Sequence, residues 1–324
     1  MNKRFFEIIT IVLIINFLFK ITSFAASNII IFHAGSLTVP IRKMAKVFQK
    51  EYPQYRILDE PSGSRVAARK VAELKKPCDI VASADYTVIN NILMRKGFAD
   101  FNIEFATNSL AIVYTKKSRY AGIINQKNWP YILLKKDVVV GHSNPNDDPC
   151  GYRAMFVAKL AQKYYHIKDF YKKLFGYPDY YKPGFEKKGK IIVRPKETDL
   201  LSLLEAGDVD YIFLYKSVAI QHHLKYIQLP DQINLSNPEY EKFYSQACFK
   251  VTANSPNNYI LKCAKPIVYS FTIPHNENSP QNPDGAILFV KFMLSKEGQS
   301  ILKSCGQGII NPPVVIGKKP VWLK

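Results

Sequence analysis

The chain has 324 residues, 47 % of them hydrophobic, and carries 45 lysines and arginines against 26 acidic residues, a formal charge of +19. That length suits one large or two medium domains with a sizeable buried core. The cations are scattered among hydrophobic segments, with no compact arginine-rich arm and no zinc-finger spacing, so a solvated basic surface is expected rather than a nucleic-acid site.

At the start, Asn2-Lys3-Arg4 is basic, Phe5 to Phe19 is almost wholly apolar, and Ser23-Phe24-Ala25-Ala26 offers small residues for cleavage. Residues 1-26 therefore read as a secretory signal peptide. Glu7, Asn16 and Lys20 interrupt the apolar run, which falls short of a membrane-spanning helix. No cysteine follows to take a lipid anchor, and the expectation is a soluble, extracytoplasmic protein. Export is a second argument against nucleic acid. Five cysteines, Cys78, Cys150, Cys248, Cys263 and Cys305, are an odd number in a compartment that permits disulfides. Cys248 and Cys263 could bridge a loop, but spacing alone leaves the pairing open.

Strand-like and helix-like runs then alternate: Asn28 to Phe32, Val39 to Glu51, Tyr55 to Leu58, Val66 to Leu74, and Ile80 to Ala82. This βαβαβ order predicts a parallel sheet covered by helices. The first turn, His33-Ala34-Gly35-Ser36-Leu37, and the second, Pro61-Ser62-Gly63-Ser64-Arg65, each place glycine and serine before a helix. Backbone N–H groups and hydroxyls at a helix N-terminus favour an anion, although plain helix caps look the same. His33 reads as a packed residue at the strand end.

The β-rich runs Asn108 to Tyr114 and Pro266 to Ile273 lie far apart, with a second α/β series between them and an amphipathic helix, Gly285 to Leu302, after them. Two lobes joined by two crossing strands account for this order. Lobe 1 is expected to comprise residues 27-112 plus 265-324 and lobe 2 residues 113-264, with ligand bound in the cleft between them.

In the second series the strand Asp137 to Val140 leads into Gly141-His142-Ser143-Asn144-Pro145-Asn146-Asp147-Asp148-Pro149-Cys150-Gly151-Tyr152-Arg153. Asp148 reads as N-cap and Pro149 as the first helical residue, with the helix running through Ala154 to Leu160. Glu197 opens a further helix, where a solvated glutamate would complement the dipole. Tyr215 ends the strand Tyr211 to Tyr215. His222 and His223 follow on a helix without a ligand pattern. Cys150, His142 and the Asp147-Asp148 pair could be assembled into a nucleophile and base, but no catalytic signature accompanies them and an enzyme is not expected. The pairs Tyr164-Tyr165 and Tyr180-Tyr181 offer phenolates for ferric iron only if they converge on the cleft; surface or amphipathic packing is the simpler reading.

Six segments taken together, His33 to Leu37, Ser62 to Ser64, Cys78 to Tyr86, Asp147 to Arg153, Glu197 to Leu201 and Asp210 to Ala219, resemble in order the tungstate/molybdate-binding proteins of ABC importers, in their archaeal-type branch. The resemblance covers roughly Asn28 to Val315. It implies an α/β, two-lobed type II periplasmic-binding-protein fold closing on one tetrahedral oxyanion, no cofactor, a monomer, and partners in a membrane permease and its cytoplasmic ATPase. By resemblance Ser36 and Ser64 bind oxyanion oxygens, Tyr215 lies near the site and is expected to bind them too, and Asp148 and Glu197 approach the tungsten or molybdenum centre; Asp147 is the alternative to Asp148. The loop Phe175 to Lys190 takes no role. Arg65 and Arg153 neighbour these segments and are read as helix-surface residues or loop braces. Ferric iron, sulfate or phosphate are the alternative ligands.

Carboxylates beside a dianion are repulsive unless they bond to its central atom. Mo(VI) and W(VI) are hard centres that can expand from four oxygen ligands towards six, a route that sulfur and phosphorus lack. The same two carboxylates would then turn away sulfate and phosphate.

Overall fold

In the computed structural model, which describes residues 26–253 and 255–323, two separate sheets organise the chain. Of the expected signal peptide, residues 1-26, all but Ala26 lie outside the described residues.

The first sheet has six strands in the order Gly308–Gly317, Phe101–Thr107, Val268–Thr272, Ile80–Ser83, Ser27–Ala34, Tyr55–Ser62. Ser27–Ala34 runs parallel to both of its neighbours, in a register that sets His33 opposite Pro61 and Ala34 opposite Ser62. The Ser36 and Ser64 turns therefore emerge side by side at one sheet edge. Helix Thr38–Glu51 covers this sheet through Ile41, Met44 and Phe48, spaced three and four apart so that they share one face. Phe48 is fully buried and meets Phe289 edge-on at 5.1 Å. Burial of one such side chain contributes roughly 1.5–3 kcal/mol.

The second sheet has five strands in the order Ile191–Arg194, Val140–Ser143, Tyr211–Tyr215, Leu110–Tyr114, Lys225–Gln228, the first three of them parallel. Its central helix, Pro149–Tyr164, is buried along most of its length. A two-stranded hairpin, Cys248–Thr252 with Tyr259–Cys263, is closed at its base by a Cys248–Cys263 disulfide. Cys78, Cys150 and Cys305 are free and buried.

Several expected boundaries shift. The chain leaves the first sheet after Thr107 and enters the second at Leu110, so it crosses at Asn108-Ser109 rather than after Ile112; all five residues of Leu110–Tyr114 pair in the second sheet. The return passes through Ala264 to Ile267. The strand expected from Asp137 begins only at Val140, because the Val139 N–H is taken by the Asp210 carboxylate at 2.8 Å. The single helix expected over Gly285 to Leu302 is two, Pro283–Leu294 and Lys296–Ser304. Ser295 breaks it by turning extended and capping the second helix, its hydroxyl accepting from the Gly298 N–H.

Candidate functional site

Each lobe presents three parallel strands whose C-terminal ends face the other lobe, the usual position for ligand groups in open α/β sheets. From lobe 1 come Ser36, Ser64 and Ala84-Asp85; from lobe 2 come Asp148, Glu197 and Tyr215. Ser36, Ser64 and Tyr215 are 0 % exposed, and Asp148 and Glu197 are 1 % exposed.

These residues form a connected ring. Asp148 caps its helix as expected, one carboxylate oxygen accepting from the Cys150 N–H at 3.1 Å, while the other accepts from the Glu197 N–H at 2.9 Å. The Ser36 turn packs directly on Glu197: a Cβ on Gly35 would stand 2.8 Å from Glu197 Oε2. The Ser64 turn packs on the Asp148 loop, with the Arg65 N–H donating to Asp147 O at 3.1 Å. The Ser64 hydroxyl accepts from the Ala84 N–H at 3.0 Å, which leaves its own proton for an anion oxygen. Arg153 donates to Ala84 O at 2.7 Å and to the Tyr215 hydroxyl at 2.6 Å. Asp147 points elsewhere, 3.8 Å from Arg69 and bonded to Asn144. Of the two aspartates, Asp148 is therefore the one beside Glu197.

The electrostatics of the acidic pair are unusual. Among the described residues neither Asp148 nor Glu197 forms a salt bridge. Both Glu197 carboxylate oxygens are buried without a hydrogen-bond partner. Burial, then the neighbouring Asp148 charge, pushes the Glu197 carboxyl well above the ordinary range. Direct contact with the Asp148 carboxyl raises it further, and the Glu197 and Ser36 main chain draw it back. Burial likewise raises Asp148, against the pull first of the Glu197 carboxyl beside it, then of the Ser143 hydroxyl and the Cys150 and Glu197 N–H groups. Ionising a buried carboxyl without a partner costs on the order of several kcal/mol, so the pair suits an electron-poor centre that would bind the carboxylates.

Among the described residues no group of three or more His, Cys, Asp and Glu side chains could hold a bare metal ion. Two carboxylates are a sparse set for a naked cation, and a ligand that brings its own oxygens matches them better.

Some residues of the site escaped the sequence reading. Tyr269 shares a 2.8 Å hydrogen bond with the Ser36 hydroxyl and accepts from Asn108 at 2.9 Å, while Asn108 also donates to Ser217. Tyr269 and Asn108 stood in the two runs read as crossing strands, but nothing local marked their side chains as partners of Ser36. Arg65 and Arg153 are not surface residues; both are 3 % exposed and brace the seam between lobes. The tyrosine pairs do not converge on the acidic pair: Tyr165 donates to Gln126 O, Tyr181 to Glu186, and Tyr180 packs on Tyr259. His33 is buried against Asp59, and His222 and His223 are exposed at a helix end. His142 bonds Tyr177 at 3.0 Å, and burial lowers its pKa to about 4. Cys150 Sγ contacts Phe213 O, and burial keeps its thiol protonated. No nucleophile-base pair forms from the two.

Comparison with known proteins gives a consistent picture. Residues 29–306 match the family described as bacterial extracellular solute-binding protein. An uncharacterized solute-binding protein of Petrotoga mobilis is 47 % identical over 299 residues, covering 92 % of this chain and 89 % of the relative. The molybdate/tungstate-binding protein WtpA of Pyrococcus abyssi is 41 % identical over 314 residues, covering 92 % and 89 %. Among solved structures, the periplasmic molybdate-binding protein of Azotobacter vinelandii superposes with a TM-score of 0.60 at 16 % identity, over 88 % of this chain and 99 % of that one. At that identity the likeness carries the two-lobed fold.

Proposed function

Because the chain belongs to the bacterial extracellular solute-binding protein family, we propose that it captures tungstate or molybdate between its lobes and delivers it to the permease of an ABC importer. The family is a transport family rather than an enzyme class. Among the described residues no helix is long and apolar enough to cross a membrane. Export by residues 1-26, a monomeric state, and a permease with its cytoplasmic ATPase as partners belong to the same proposal.

The observation that carries the ligand class is the Asp148-Glu197 pair, buried, unpaired with any cation, and facing two neutral serine turns. A site for sulfate needs donors throughout, and phosphate can satisfy a carboxylate only through its own P–OH, so two adjacent carboxylates disfavour both anions. Tungsten and molybdenum accept further hard oxygens, so carboxylate coordination offsets the repulsion. Ser36 and Ser64 then hold oxyanion oxygens by hydrogen bonds, Tyr215 and Arg153 brace the Ala84 edge, and Asp148 and Glu197 bond to the metal. Binding energy spread over both lobes favours the closed form, which the permease would recognise.

Isothermal titration of the chain from Ser27 onward with tungstate, molybdate, sulfate and phosphate in one buffer tests this reading. One-to-one binding of the first two without the others is expected. Equal binding of sulfate would leave an oxyanion carrier and remove carboxylate coordination; silence with all four, followed by binding of ferric iron, would overturn the ligand class.

A further inference from the structure

The two glycines of the serine turns both lie where the lobes touch, but what they touch differs. A Cβ on Gly35 would meet Glu197 Oε2 at 2.8 Å, Oε1 at 2.9 Å and Thr198 Oγ1 at 3.0 Å, all ends of side chains that can rotate. A Cβ on Gly63 would meet Asp147 O at 2.3 Å, Asp147 C at 2.8 Å and Asp148 Cα at 3.1 Å, which are main-chain atoms of the other lobe.

That main chain is held from several sides. Asp147 N and Asp148 N both donate to Asn144 O, at 3.1 and 2.9 Å. Asn146 accepts from the Thr252 N–H at 2.9 Å and donates to Tyr181 O at 3.1 Å. From lobe 1, Arg65 completes the seam, its backbone N–H donating to Asp147 O at 3.1 Å and its Nε to Asn146 O at 2.8 Å. The Asp147 carbonyl therefore cannot swing away to admit a methyl group.

The need for glycine is not conformational. Gly63 sits at φ −61°, ψ 139°, a region open to any residue. Alanine there is unstrained within lobe 1, and loss of glycine's freedom in the unfolded chain favours it slightly. The missing side chain matters only when the lobes are together.

We propose that Gly63 is the closure stop of this protein: the bare main chain at this position lets lobe 1 seat on Asp147 and so fixes the separation of the Ser64 hydroxyl from the Asp148 carboxylate. This rests on the reading of the cleft as an oxyanion site that closes on its ligand. An ordinary contact for a Cβ at 63 requires the two main chains to part by about 1 Å, and the two lobes can then no longer grip one small ion together.

The test is Gly63→Ala, examined by tungstate titration and by small-angle X-ray scattering with and without tungstate, beside the parent and Arg65→Met. The parent is expected to bind and to contract. Gly63→Ala is expected to keep the parent's ligand-free melting temperature and dichroism, to bind tungstate at least tenfold more weakly, and to stay near the ligand-free radius of gyration at saturation. Arg65→Met removes the guanidinium bonds to Asn146 O and Thr252 O but keeps the bare main chain, so it should bind more weakly yet still contract fully. The stop is overturned if Gly63→Ala binds and contracts as the parent does, or if Arg65→Met blocks contraction as completely as Gly63→Ala. A melting temperature for ligand-free Gly63→Ala well below the parent's also overturns it, since the glycine would then serve lobe 1 itself. A parent that neither binds nor contracts overturns the oxyanion reading on which the stop rests, a result distinct from the other three.

Discussion

Acidic side chains are buried at the interlobe seam in two places, Asp85 on lobe 1 and the Asp148-Glu197 pair on lobe 2. Asp85 accepts from the Tyr152 hydroxyl, from the Thr87 N–H at 2.9 Å and from the Thr87 hydroxyl at 2.8 Å, and stands 3.2 Å from Lys262. Burial works against its ionisation, but the Lys262 and Arg153 charges hold its carboxyl well below the usual range. A cavity of about 240 Å³ beside it is lined by Thr87, Tyr152, Arg153, Lys262 and Lys265. Asp148 and Glu197 are as deeply buried, yet both are pushed upward, and among the described residues neither has a cation beside it: the Glu197 carboxyl faces only Asp148. Burial and acidity are thus common to both centres, and the presence or absence of a partner distinguishes them. Asp85 is neutralised within the fold itself; in the proposed reading the pair meets its partner in the bound ligand.

The contrast can be broken first at Asp85. Asp85→Asn leaves Lys262 and Arg153 buried without their counter-charge, and loss of one member of such a cluster costs about 3–5 kcal/mol. Denaturant unfolding at neutral pH should show that loss. The pH dependence has a definite sign: the folded pKa is depressed, so the parent's advantage is present above the ordinary value of 3.8 and fades as pH falls below it towards the folded value.

Glu197→Gln should act in the opposite sense on stability. It removes a buried carboxyl that must take up a proton in order to fold at neutral pH, so the ligand-free variant should unfold at higher denaturant, by roughly 1–2 kcal/mol. Tungstate affinity should fall by about 100-fold, or roughly 3 kcal/mol, through loss of a direct ligand. A variant less stable than the parent, or one that binds equally well, would contradict the assignment of the pair to ligand. Ser36→Ala should have the smallest effect, about 1 kcal/mol in binding, because only one neutral hydrogen-bonding group is removed and the neighbouring main chain stays. Titration of that variant with tungstate measures it.

Much of the architecture was legible in the order of strands and turns. The βαβαβ start, the capping aspartate before Pro149 and the serine turns follow from periodicity and turn chemistry that act within a few residues. The acidic pair could be named only through the resemblance, since 49 residues separate Asp148 from the Glu197 N–H it binds and no local signal joins them. Tyr269 lies 233 residues from Ser36, and its hydroxyl is directed there by sheet packing alone. The helix break at Ser295 was missed because the apolar spacing on its two sides continues in phase while a single hydroxyl cap ends one helix and starts the next. An arginine in isolation favours solvent, which is why the sequence suggests surface or bracing roles for Arg65 and Arg153; only the opposing lobe supplies their buried main-chain acceptors, Asn146 O of lobe 2 for Arg65 and Ala84 O of lobe 1 for Arg153.

In the proposed reading Asp148 and Glu197 bond to the metal of the bound oxyanion. X-ray absorption at the tungsten L3 edge, on tungstate bound to the parent protein and on tungstate free in the same buffer, tests it most directly. Four short oxygens in buffer, joined by two longer ones in the protein, is the expected result. Four oxygens and an unchanged tetrahedral spectrum in both samples would contradict it.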